Sequence, residues 1–128
     1  MKIEVEISVG ELLDKITILE LKSERISDPQ KLAHVAHELR ILNTVQRNAV
    51  SNSPKLKKLI RRLKQINEAL WDIEDQIRQC ESRQDFGEKF IDLSRSVYQT
   101  NDQRASLKRE INHLTGSSIV EEKSYSPY

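Results

Sequence analysis

The stretch SVGELLDKITILELKSERI, residues 8–26, constrains the fold more than any other part of the chain. Ser8 followed by Glu11 makes an S-x-x-E capping box, so a helix opens at Val9 and runs to about Ile26. At 3.6 residues per turn, Val9, Leu12, Leu13, Ile16 and Leu19 form one apolar stripe, while Ile18 and Leu21 fall on the opposite side. A helix that is apolar on two sides has to be covered on two sides. Its own chain can do this only if the helix lies across the others; a second copy of the protein would otherwise supply the missing cover.

Three more helices follow from similar local signals. Asp28 before Pro29 is an N-cap with proline at the first helical position, which starts a second helix running to about Val50, and Ser53 before Pro54 starts a third that continues to about Ser82. QDFGE marks a turn, and a fourth helix spans about Gly87 to Leu114, stopped by Gly116. The connections are a few residues each, so the expected fold is all-α, an antiparallel four-helix bundle over residues 8–117. A chain of 128 residues with three glycines and three prolines fits one such domain over 1–128. The third helix carries a coiled-coil seam, Leu56, Ile60, Leu63, Asn67, Leu70, Glu74, Ile77 and Glu81, and the fourth continues it with Phe90, Ser94, Val97, Asn101, Arg104, Lys108 and Ile111.

Outside the helices, residues 1–7 alternate, with Ile3, Val5 and Ile7 on one side and Lys2, Glu4 and Glu6 on the other, the pattern of a short half-buried strand. A lone strand cannot satisfy its own backbone. The expected partner is SSIVEEKSY in the tail, residues 118–128, of the same chain or of a second one. The tail is extended and carries Ile119, Val120 and Tyr125, so it is expected to dock on the bundle or on a neighbouring subunit.

The seams contain polar residues, and these are the candidate site. Glu20 shares the first face of the first helix, Asn67 and Glu74 interrupt the third seam, and Asn101 and Arg104 interrupt the fourth. Buried charge is costly unless paired, so Arg104 is expected to meet Glu74 or Glu20, with Asn67 and Asn101 completing the bonds. Two readings follow. Such groups can fix helix register, as single seam asparagines do, or they can line a pocket for an anionic small molecule, such as a nucleotide or sugar phosphate, assisted by a metal or not. Asp14 and Tyr125 are secondary candidates: Asp14 lies between Ile18 and Leu21, where Lys123 or a tyrosine hydroxyl could answer it.

Several function classes find little support. Formal net charge is +1, which argues against a chain built for nucleic acid, although KLKKLIRRLK at 55–64 has six basic residues and no acidic one. That run lacks interleaved aromatics, and the same helix turns acidic at Glu68, Asp72, Glu74, Asp75 and Glu81, so its two halves could pair with an antiparallel copy. His34, His37 and Glu38 have metal-like spacing but lie off the apolar stripe, Cys80 is the only cysteine, and neither metal nor cofactor is expected. Glu11 and Asp14 supply the E-x-x-D of helical nucleotide pyrophosphohydrolases, but Glu121–Glu122 in the tail is followed by Tyr125 where a third carboxylate belongs. Arg95 and Arg104 do not compel the arginine set of helical chorismate mutases. No run approaches membrane-spanning length and no secretory leader is evident, so the expected location is the cytoplasm.

SVGELLDKITILELK, LWDIEDQIR, RSVYQTNDQRASLKREIN and IVEEKSY together make the chain resemble a family of small bacterial proteins known as a domain of unknown function. The resemblance spans almost the whole chain. It implies a free-standing small domain and brings no activity, cofactor or catalytic residue. The leading expectation is a homodimeric helical module that acts through protein partners; the alternative is the small-molecule site at the bundle centre.

Overall fold

The computed structural model describes all 128 residues and is all-helical, with no strand. The helices are α1 (Val9–Arg25), α2 (Pro29–Ala49), α3 (Pro54–Ser82) and α4 (Glu88–Thr115). Their starts are the ones the local chemistry dictates. Ser8 accepts the backbone N–H of Glu11 at 3.1 Å, Asp28 accepts that of Gln30 at 3.1 Å, and Ser53 accepts that of Leu56 at 3.1 Å. At the end of α4, Gly116 takes φ +64°, a conformation that suits glycine, and the N–H of Ser117 reaches back to the carbonyl of Asn112 at 2.9 Å.

The helices pack as a bundle around α1, which touches α2, α3 and α4, while α2 packs on α1 alone and α3 packs on α4. Leu12, Leu13 and Ile16 meet Leu56, Leu59 and Leu63 of α3 and Leu107 and Ile111 of α4 in one core cluster. Leu19 and Leu21 are buried as well, so both apolar sides of α1 are covered within a single chain, with Val9 and Ile18 half-buried. α1 therefore does not itself require a second copy.

The expected strand is absent. Residues 1–7 have no secondary structure and no backbone hydrogen bond, and Ile3 and Val5 are exposed. The physical reason lies in the tail, whose polar side chains are bound to α4 instead. Glu121 pairs with Lys108 at 2.7 Å, Glu122 with Arg109 at 3.0 Å, and Lys123 with Asp102 at 2.5 Å, while the Tyr128 hydroxyl donates to Asp102 at 2.5 Å. Tyr128 also stacks edge-on against Tyr98, with ring centroids 5.1 Å apart.

Helix lengths fix the outline. At 1.5 Å per residue, α3 with 29 residues extends about 43 Å, whereas α1 with 17 extends about 25 Å. The last side chain of α1, Arg25, reaches Glu68 at 3.0 Å and Asp72 at 2.5 Å and lies 5.8 Å from the Trp71 ring centroid. Past that point α3 and α4 run on together, with Cys80 fully buried.

Candidate functional site

Gly10, Asp14, Thr17 and Leu21 follow one another at steps of four, three and four along α1 and are all buried, so they form a row facing the other helices. Gly10 lets this row come close to α4: a Cβ there would stand 2.6 Å from the Lys108 carbonyl oxygen and 2.9 Å from Asn112 Oδ1. The Gly10 N–H donates to Asn112 Oδ1 at 2.6 Å.

One turn further, Asp14 is 1% exposed and stands at the centre of a polar network. Its Oδ1 accepts Asn67 Nδ2 at 2.9 Å and Arg104 Nε at 3.0 Å, and its Oδ2 accepts Arg104 Nη2. Lys108 Nζ lies 3.8 Å from the same carboxylate and is held by Glu11 at 2.8 Å and by Glu121 of the tail at 2.7 Å. Thr17 accepts Asn67 Nδ2 at 3.0 Å and donates to the Asp14 carbonyl at 2.9 Å. Asn101 Oδ1 lies 3.5 Å from Arg104 Nη1. Among the buried side-chain polar atoms only Asn112 Nδ2 lacks a partner.

The electrostatics follow from this geometry. The hydrogen bond to Asp14 raises the Arg104 guanidinium above its usual pKa against the opposing effect of burial. For Lys108 burial pulls the ammonium down, but the bonds to Glu11 and Glu121 and the charge of Asp14 more than offset it, and the net direction is up. Both cations are committed to carboxylates, and the bidentate hold on Arg104 is the strong form of this pairing. No group of three or more His, Cys, Asp or Glu side chains is placed to hold a metal ion.

Of the residues the sequence nominated, Asn67, Asn101 and Arg104 come together. Glu20 and Glu74 make no bond to them, although Glu74 lines the same groove as Asn67 and Arg104. Glu20 lies 3.2 Å from Lys64, which also holds Glu24 at 2.7 Å, and Glu74 pairs with Arg78 one turn along α3. The acid that answers Arg104 is Asp14, and Lys123, expected opposite Asp14, is bound to Asp102. Tyr125 is exposed, with the Lys123 ammonium 5.5 Å above its ring. Glu11, Thr17, Lys108, Asn112 and Glu121 belong to the network and were not nominated. The signal for them was the small and polar row Gly10, Asp14, Thr17 on an otherwise apolar helix. Beside the network a shallow groove of about 380 Å³ is lined by Ile18, Leu70, Trp71, Glu74, Arg78 and Arg104, among others.

Bundle and network together define a small all-helical protein with an ionic network built on the buried Asp14, whose Arg104 also lines the neighbouring groove. The chain belongs to a family of unknown function (DUF6165), whose model matches residues 1–128. No curated protein and no solved structure matches it.

Proposed function

We propose that the protein is a homodimeric helical module that works by protein–protein contact, and that its buried charges fix how its helices meet. The observation that carries this reading is α2. It packs on α1 alone, and of its 21 residues only Val35 is buried, while Ile41 and Val45 on its outer side are 50% and 44% exposed. The accessible surface agrees. It is 9103 Å² for a mass of 14.9 kDa, where a compact monomer of that mass exposes about 7,000 Å². The exposed segments 1–7 and 118–128 contribute to this excess of roughly 2,000 Å², of which an ordinary interface would cover ~800 Å² per partner. The occupant of the α2 face is a second copy, since one helix laid on its own two-fold mate closes the assembly.

The charge halves of α3 lend this arrangement little, because Glu68 and Asp72 are taken by Arg25 and Glu74 by Arg78. Gly10 against Asn112 and Asp14 against Arg104 support an antiparallel course of α1 and α4. No helix is long and apolar enough to cross a membrane, which fits the cytoplasmic placement we favour. The small-molecule reading loses ground because Arg104 and Lys108 have no charge left to offer an anion. Ile41→Glu with Val45→Glu tests the proposal: the variant should fold with unchanged helicity and sediment as a monomer. A variant that keeps the parent's mass would refute the α2 interface.

A further inference from the structure

We infer that residues 1–7 are a pairing strand, and that their partner is the same segment of a second copy, giving a two-stranded antiparallel ribbon across the dimer axis. This rests on the homodimer reading above. The arm leaves a fixed root, for Ser8 is buried and caps α1, and the Val9 N–H donates to Ser117 Oγ at 3.2 Å. Beyond the root, seven residues leave every backbone donor and acceptor without a protein partner, with Ile3 77% and Val5 74% exposed. Apolar and charged residues alternate strictly along the arm, the pattern of a strand with one face buried. The polar side chains of its own tail are engaged on α4 instead. An unpaired strand of this kind is a template for another chain.

Charge selects the register. With Glu4 on the two-fold axis, Lys2 stands opposite Glu6 twice, Ile3 opposite Val5 twice and Met1 opposite Ile7 twice, and the one like-charged pair is Glu4 with its own copy. A slip of one residue in each strand toward the root sets Glu4 against Glu6 on both sides; the opposite slip leaves Ile7 outside the ladder. Pairing parallel and in register would set every charge against itself.

Distance agrees with the α2 interface. In this register the two Ser8 residues are eight positions apart, about 27 Å at 3.4 Å per residue. The ribbon requires the two α2 helices to pair parallel about the two-fold, so that both arms leave at one end; the two α1 helices then lie three helix packings apart, about 24–30 Å at 8–10 Å each. Leu114, Ile119 and Val120 are exposed at the same end of the molecule as Ser8, next to the Ser117 contact, and give the apolar side of the ribbon a surface to lie on.

Single cysteines in the arm read the register directly. Glu4→Cys brings two thiols face to face, within the ~4.4–6.8 Å Cα separation a disulfide spans, whereas Lys2→Cys and Glu6→Cys leave like positions about 14 Å apart. Under mild oxidation Glu4→Cys should form covalent dimer at least about ten-fold faster than either neighbour, with the unsubstituted chain, whose Cys80 is buried, as background. If the chain is dimeric by light scattering and the three variants cross-link alike or not at all, the ribbon is overturned and the dimer stands. If the chain is monomeric at working concentration, both fall.

Discussion

Asp14→Asn is the substitution that weighs the polar centre most sharply. The side chain keeps its shape and Oδ1, but the charge that answers Arg104 and Lys108 is gone, and an amide N–H points at donors. Removing one member of a buried pair costs about 3–5 kcal/mol, because the other charge stays behind. Here part of that cost is recovered: the Arg104 side chain is 29% exposed and can rehydrate, and Lys108 keeps Glu11 and Glu121. The expected loss is therefore about 2–3 kcal/mol. At an m-value of roughly 1–3 kcal/mol/M, the urea midpoint should fall by about 0.7–3 M with the slope unchanged. Pairing it with Arg104→Met in a double-mutant cycle should give a coupling above about 1 kcal/mol, since the two groups touch. A change under 1 kcal/mol or an additive cycle would refute the network as a structural element, and a gain in stability would mark Asp14 as a residue kept for a ligand at the fold's expense.

Gly10→Ala gains about 1 kcal/mol of helix propensity yet forces its Cβ to 2.6 Å from the Lys108 carbonyl, so overpacking should win and thermal unfolding should report a net loss of about 1–2 kcal/mol; an unchanged or raised melting temperature would show that α1 does not approach α4 this closely. Because the Lys108 pKa is raised on folding, its contribution is complete below its unfolded value of about 10.5 and is lost as pH climbs through the folded one. The stability gap between the parent and Lys108→Gln, constant from pH 7 to 9, should therefore narrow above about pH 10.5. Asp102 behaves in the opposite sense: the bonds from Lys123 and Tyr128 lower its pKa, so tail docking holds above its ordinary value of 3.8 and weakens as pH falls through the depressed one. The ring resonances of Tyr98 and Tyr128 should lose their mutual shift at that acid limit, and retention of the shift in Asp102→Asn at neutral pH would refute Asp102 as the group that holds the tail on α4.

The helix starts could be read because capping is local. Ser8, Asp28 and Ser53 each bond to an N–H two or three residues away, and no distant part of the chain alters that. The identity of the acid at Arg104 could not be read in the same way. Asp14 and Arg104 are 90 positions apart, and a helical wheel shows which residues share a face but not what the face meets. Asp14 does share a face with Leu21, but that face meets Asn67 of α3 and Arg104 of α4 rather than the tail or a second copy, and Gly10 permits the close approach of α1 to α4. The strand pattern of residues 1–7 was also legible, but a strand exists only through a partner, and the tail spends its polar groups on α4.

Sedimentation velocity of the unaltered chain, over a dilution series from about 100 to 1 μM, tests the central claim most directly. The α2 face, with Ile41 and Val45 open, predicts a species of about twice 14.9 kDa at the upper end, giving way to monomer on dilution or persisting throughout. A single species at 14.9 kDa across the whole series would contradict the homodimer, and with it both α2 and the N-terminal arm as surfaces made for a second copy.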